Sequence, residues 1–146
     1  TKLLRENSMS LQFDKKTLLE YVEGIFSQIK GEFTIDSLEE NSIIVRMSIE
    51  ERHLRPGGTV SGPSMFALAD ISVYMSVIAA IGPKSLTVTT NCSMDFMRKP
   101  LPNADIIAEC RLLKTGKTLA VGDVQIYSDG TKELVARATF TYAIPG

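Results

Sequence analysis

The sequence predicts an α+β fold in which an antiparallel sheet of five to six strands wraps round one long apolar helix. The segment from Pro63 to Ile81 is apolar on all sides, and a helix of that kind is enclosed by the rest of its protein. The stretches around it alternate apolar and polar residues with the period of a strand. Their order is one amphipathic helix, two strands, the apolar helix, then four strands. That order suggests antiparallel strands closed over a central helix.

Residues 1–12 are polar and mixed, which predicts a loose tail or a short helical lead-in ahead of one domain over residues 13–146. From Asp14 to Lys30, Leu18, Leu19, Val22, Ile25, Phe26 and Ile29 recur at threes and fours. This is one stripe of an amphipathic helix, with Asp14 as N-cap and Gly31 as its stop. Phe33 to Leu38 and Ile43 to Ile49 alternate about a turn at Glu39-Glu40-Asn41, the pattern of a hairpin. Arg52 to Gly62 is a glycine-rich loop. Pro63 opens the apolar helix, where its missing N–H costs nothing, and Gly82-Pro83 stops it. Leu86, Val88, Thr90, Cys92, Met94 and Phe96 then alternate with Thr87, Thr89, Asn91, Ser93 and Asp95, until Pro100 and Pro102 break the strand. Ile106–Leu113, Leu119–Tyr127 and Leu134–Ile144 are the remaining strands. Turns fall at Lys114-Thr115-Gly116-Lys117 and Ser128-Asp129-Gly130-Thr131.

Composition excludes several classes. In 146 residues, Lys+Arg number 16 against Asp+Glu 17, for a net charge of −1. Nucleic acid needs a basic face to offset its phosphates, so no nucleic-acid partner is expected. One histidine, His53, and two cysteines, Cys92 and Cys110, give no zinc or iron pattern, so no metal is expected. Both cysteines sit in apolar, strand-like runs and read as buried thiols. Asp70 and three serines interrupt the apolar helix, and a carboxylate at that depth is costly in lipid. The expectation is therefore a core helix, no membrane, and a cytoplasmic protein. Gly116-Lys117-Thr118 lacks the first glycine and the strand–helix setting of a phosphate loop.

Asp70 is the residue that suggests chemistry. A buried, unpaired carboxylate costs several kcal/mol, so this one is paired, at an interface, or functional. The loop ending Ser61-Gly62 delivers a helix start, where free N–H groups and the positive dipole end suit a developing oxyanion. Asp70 lies about 12 Å further along the helix. One chain does not easily bring both ends to one carbonyl, which predicts a dimer with shared sites.

The segment Ser61-Gly62-Pro63-Ser64-Met65-Phe66-Ala67-Leu68-Ala69-Asp70 resembles the loop–helix signature of hotdog-fold acyl-CoA thioesterases of the PaaI type. Val88 to Pro100 resembles their next strand. Leu113 to Ala120 resembles another recurrent stretch, so the likeness covers residues 33–144. The resemblance implies Asp70 as the catalytic carboxylate, general base or nucleophile, and the Gly62 N–H as donor to the thioester oxygen. It implies Thr89, with Thr90 the alternative, as the hydroxyl that places water. Arg98, Lys99, Lys114 and Lys117 become candidates for the coenzyme A tail, which enters only as part of the substrate, with no cofactor besides. The family usually has His-Gly-Gly where Ser61-Gly62-Pro63 stands, and often an Asn where Arg55 stands. Pro63 has no N–H, so only Gly62 of that pair can donate. Ser61 and Arg55 are further substrate-side candidates, Arg55 through a phosphate or through Asp70 across the dimer.

Asn91 and Ser93 are expected on the strand face of Thr89, because side chains repeat every second residue. They would line the acyl pocket, hold water or meet a second subunit. Met65, Phe66, Tyr74 and Phe96 are candidate pocket walls, and His53 reads as a loop-edge residue. The leading expectation is hydrolysis of an acyl-CoA to free acid and CoA. A non-catalytic acyl-CoA binding module or sensor on the same fold is the alternative. A hydratase needs a histidine within the site, which His53 does not supply. Family resemblance adds a homotetramer built from two dimers.

Overall fold

In the computed structural model, which describes residues 11–145, the alternating stretches form a six-stranded antiparallel sheet. Most of the expected N-terminal tail, residues 1–10, lies outside the described residues. The chain runs α1 (Lys15–Ile25), β1 (Phe33–Glu39), β2 (Ser42–Met47), α2 (Gly62–Ile81), β3 (Val88–Phe96), β4 (Ile106–Thr115), β5 (Leu119–Ser128) and β6 (Ala136–Ala143). Strand order in the sheet is β1-β2-β4-β5-β6-β3.

Asp14 caps α1 as expected: its carboxylate accepts from the Thr17 N–H at 2.8 Å, and the Thr17 hydroxyl accepts from the Asp14 N–H at 3.0 Å. The helix is shorter than its stripe. Phe26 leaves helical geometry, and a 3-10 turn over Ser27–Ile29 follows before Gly31 turns the chain at φ +79. A 3-10 turn keeps a spacing of three residues. Ile29 therefore stays buried, and the periodic signal runs on past the true end at Ile25.

α2 lies against the inner face of the sheet. Ile43, Val45 and Met47 of β2, Ala108 and Cys110 of β4, Val124 and Ile126 of β5, and Phe140 of β6 form one buried cluster with Leu68, Val73, Val77 and Ile78 of α2. Fully burying each large aliphatic contributes about 1.5–3 kcal/mol. Gly122 of β5 sits where the helix comes closest, since a Cβ there would lie 3.1 Å from Val73 Cγ1. α2 ends at Gly82, whose φ of +93 only glycine adopts easily.

β3 departs from the simple alternation. Thr89 pairs with Tyr142, but Asn91 pairs with Thr141, so Thr90 is an extra residue bulged out of the ladder. One extra residue reverses the phase of everything beyond it. Thr89 sits opposite the buried Tyr142 on the inner face, and Asn91 and Ser93 sit opposite Thr141 and Thr139 on the outer face. The expectation that Asn91 and Ser93 share a face with Thr89 is corrected. Thr87 is buried and Val88 is 55% exposed, the reverse of the strict pattern.

Cys110 is buried, as expected, and burial pushes its thiol up to about 12. Cys92 is exposed, which corrects the expectation of a second buried thiol. Its strand is the sheet's edge, so alternation there does not bring cover on both sides.

Candidate active site

Two clefts flank α2. The first, of about 580 Å³, opens at the helix start and is lined by Arg55, Val60, Gly62, Met65, Phe96 and Lys99 among others. Ser61 is the N-cap: its hydroxyl oxygen accepts from the Ser64 N–H at 3.2 Å. Gly62 is the first helical residue, and the N–H at that position has no acceptor within the helix. Pro63 follows as the second helical residue. The Phe96 ring covers Gly62, about 3.5 Å from where a Cβ would stand. The preceding loop is tied to this end by the Ser61 N–H donating to the His53 carbonyl at 2.8 Å and by a bridge between Leu54 and Val60.

His53 is buried, at 4% exposure, and is not a loop-edge residue. Its Nδ1 accepts from the Glu50 N–H at 2.9 Å, which leaves the ring proton on Nε2, 3.7 Å from Glu32. Burial first, and then the Arg52 charge, hold its pKa below the ordinary histidine value. It serves the loop's shape and lines neither cleft.

The second cleft, of about 360 Å³, holds Asp70. Its walls are Ile25 and Phe26 from the end of α1, Ile71 and Tyr74 from α2, Leu86 to Thr89, and Tyr142. Asp70 is half-buried, and its Oδ1 accepts two hydroxyls. Thr89 Oγ1 donates at 2.7 Å and Tyr142 Oη lies at 2.6 Å. Tyr142 Oη also lies 2.9 Å from the Asp70 carbonyl oxygen. Among the described residues no protein group donates to Oδ2. Burial, and next the Asp70 charge, push the Tyr142 hydroxyl far above the ordinary tyrosine value, so it stays protonated. Tyr74 packs its ring 6.0 Å from that of Tyr142 and donates its hydroxyl to the Ser85 carbonyl at 3.0 Å.

Of the residues singled out from the sequence, Asp70 and Thr89 are in contact, and Thr90 instead reaches the Thr141 carbonyl at 3.3 Å. Gly62, Arg55, Arg98 and Lys99 meet at the other cleft, eight helical residues from Asp70. Arg98 is already engaged: it pairs with Glu133 at 2.6 Å and donates to the Leu134 carbonyl at 3.0 Å. Lys114 and Lys117 stand exposed on the β4–β5 hairpin, and Asn91 is exposed on the outer sheet face. Of the expected walls, Met65 and Phe96 line the first cleft and Tyr74 the second, whereas Phe66 packs 5.5 Å from Phe140. Tyr142 is a site residue that the sequence does not announce. It stands in the alternation Ala136, Ala138, Phe140, Tyr142 and reads as core; the available signal is that a buried tyrosine hydroxyl needs a partner.

A family model described as Thioesterase superfamily matches residues 57–135, more than half of the chain and the stretch that carries both ends of α2. The chain belongs to the thioesterase superfamily. It is similar to human acyl-coenzyme A thioesterase 13, 29% identical over 117 residues, which are 80% of this chain and 82% of that one. A crystal structure of a candidate thioesterase from Silicibacter sp. TM1040 is 56% identical with a TM-score of 0.89, covering 96% of this chain and 97% of that one. A mutant of the phenylacetic acid degradation protein PaaI from Thermus thermophilus shares the fold at 23% identity and a TM-score of 0.71, over 82% of this chain and 99% of that one. The expected hotdog thioesterase fold holds, shared in outline with PaaI, and the thioesterase is a thioester hydrolase.

Proposed function

We propose that this thioesterase hydrolyses acyl-CoA thioesters at a site made jointly by two copies of the chain. Water attacks the thioester carbonyl while Asp70, through its free Oδ2, takes the water's proton. The carbonyl oxygen gathers negative charge and is met by the Gly62 N–H of the second copy at its helix start. The C–S bond then breaks, the acyl group leaves as the acid, and the thiolate of CoA takes up the proton.

The observation that carries this reading is the Asp70 carboxylate, held at one oxygen by Thr89 and Tyr142 in a cleft with largely apolar walls, with the other oxygen free among the described residues. Sharing follows from distance. Gly62 and Asp70 are about 12 Å apart along one helix, too far for one carbonyl to touch both. The strand β3 runs from one cleft to the other, with Thr89 lining the second and Phe96 the first. Among the described residues it is an edge strand with free ladder groups. Antiparallel pairing of β3 with its copy lays the Thr89 end of one chain beside the Phe96 end of the other. That brings Asp70 of one copy toward Gly62 of the other. A dimer is then the smallest complete unit, and a tetramer is two such dimers. Arg55 and Lys99 sit at the mouth of the first cleft, where they suit CoA phosphates. Arg98, Lys114, Lys117, Ser61 and Asn91 remain as further contacts on this reading.

The test is thiol release from a panel of acyl-CoAs by wild type and Asp70→Asn. The variant should stay folded and lose about 10²-fold or more, the size of a general-base contribution. Equal activity in the two proteins refutes the assignment of Asp70.

A further inference from the structure

We propose that Tyr142 is a positioning residue that decides which oxygen of Asp70 does the chemistry. Its hydroxyl, together with that of Thr89, occupies Oδ1 and so leaves Oδ2 to the attacking water. The inference rests on the reading of Asp70 as the base.

A carboxylate has two equivalent oxygens and rotates freely unless its partners break the symmetry. Here the partners are unequal. Oδ1 lies 2.6 Å from Tyr142 Oη and 2.7 Å from Thr89 Oγ1, both within the range of short charge-assisted bonds. Tyr142 and Thr89 face each other directly across the β3–β6 ladder. The bulge at Thr90 is what brings Thr89 into that register on the inner face. The two donors therefore come from neighbouring strands at fixed positions and approach the same oxygen.

Tyr142 is more firmly placed than its target. It is 2% exposed, whereas Asp70 is half-buried in the cleft. β6 is flanked by β5 on one side and β3 on the other. Tyr74 packs against the Tyr142 ring and is itself anchored on the Ser85 carbonyl. Tyr142 Oη also lies 2.9 Å from the Asp70 carbonyl oxygen, so its one proton sits between two acceptors of the same residue. A group that is rigid, uncharged and aimed at one carboxylate oxygen fixes orientation without entering the reaction.

The test is Tyr142→Phe, which removes the hydroxyl and keeps the ring. With the fold intact by circular dichroism, kcat should fall by about 10-fold or more, the usual effect of losing a hydrogen bond to a charged group. KM should stay within about twofold, because the ring that forms the cleft wall remains. A residue that only packs would lower the melting temperature and leave kcat unchanged; a folded Tyr142→Phe protein with wild-type kcat overturns the proposal. Should phenylalanine prevent folding, 4-fluorophenylalanine at position 142 fills the hydroxyl's place without a proton to donate. It should lower kcat at constant KM in the same way, and an unaltered kcat again overturns the proposal. Asp70→Asn assayed in parallel separates the two levels. Full activity there removes the reading of Asp70. Loss there, with Tyr142→Phe at full kcat, removes the role of Tyr142 alone.

Discussion

Two inactive variants of this enzyme should restore activity when mixed. Gly62→Pro removes the backbone N–H assigned to the oxyanion and changes little else. Proline is accepted at the first helical position. Ser61 already has the extended geometry that a following proline demands, φ −75 and ψ 154. The Phe96 ring, about 3.5 Å from the Cβ position, leaves ordinary contact distance. Losing one oxyanion donor costs about 10²–10³ in kcat, and Asp70→Asn costs about 10² or more. Each homodimer is then nearly inactive. In a hybrid dimer, one site collects both lesions and the other collects neither. Equal mixing with free exchange yields hybrids in about half the dimers, each with one of its two sites intact, so the mixture should recover roughly a quarter of wild-type activity. That is about 25-fold above a parent reduced 10²-fold. The assay is thiol release after co-refolding of differently tagged chains, with hybrid formation confirmed by mass. Hybrids that form and gain no activity refute the shared site. A fully active Gly62→Pro homodimer refutes the oxyanion donor.

Two further outcomes follow from the structure. Gly122→Ala places a methyl 3.1 Å from Val73 Cγ1, 3.4 Å from Cγ2 and 3.5 Å from Cys110 Sγ. Val73 is fully buried and stiff at χ1, so overpacking should destabilise by about 1–3 kcal/mol; a urea midpoint equal to wild type contradicts this. His53 has a folded pKa below its ordinary 6.5, chiefly through burial, with Arg52 adding to the effect and Glu50 opposing it. The folded state therefore binds fewer protons than the unfolded state in this range. Stability from this group is complete above pH 6.5 and declines as pH falls below it, with a slope of at most about 1.4 kcal/mol per pH unit. His53→Asn, which keeps an acceptor for the Glu50 N–H, should flatten that part of the profile in urea titrations, and an unaltered slope rules His53 out as its source.

How far the sequence reaches depends on what each signal measures. The all-round apolar character of α2 reports enclosure directly, and the sheet does enclose it. β6 alternates cleanly, as do Ala108–Leu112 of β4 and Leu119–Ile126 of β5, because each has one face on α2 and neighbours on both sides. β3 is different. Its register depends on one extra residue at Thr90, and alternation carries no mark of a bulge in a run of three threonine or asparagine residues. Family likeness still points to Thr89, while the face expected for Asn91 and Ser93 comes out reversed. The periodicity overruns the end of α1 at Ile25 because the 3-10 turn preserves the spacing. Tyr142 is invisible as a site residue because it lies far from Asp70 in the chain and occupies a core position in the pattern. Its partnership is a property of the sheet order, which sets β6 next to β3.

The same economy that buries α2 explains why the site would be divided. One helix serves as the core, so its two chemically useful features are bound to one rod. The donor is at its first residue, where N–H groups are free, and the carboxylate is two turns on. Moving Asp70 toward the helix start would place it under Phe96, by Gly62, and away from Thr89 and Tyr142. Moving it further along would set the carboxylate among Val73, Met75 and Val77, which are fully buried, where an uncompensated charge costs several kcal/mol. At position 70 the carboxylate stays half-buried, with one oxygen held and one open. The cost of that position is distance from the donor, and an edge strand that spans both clefts is the element able to close it by pairing with its copy. On the proposed reading, dimerisation is part of the catalytic apparatus. A charge such as lysine placed at Ser93, on the outer face of β3 and outside both clefts, offers a separation of assembly from chemistry. It should weaken assembly and activity together while leaving the Asp70 contacts intact.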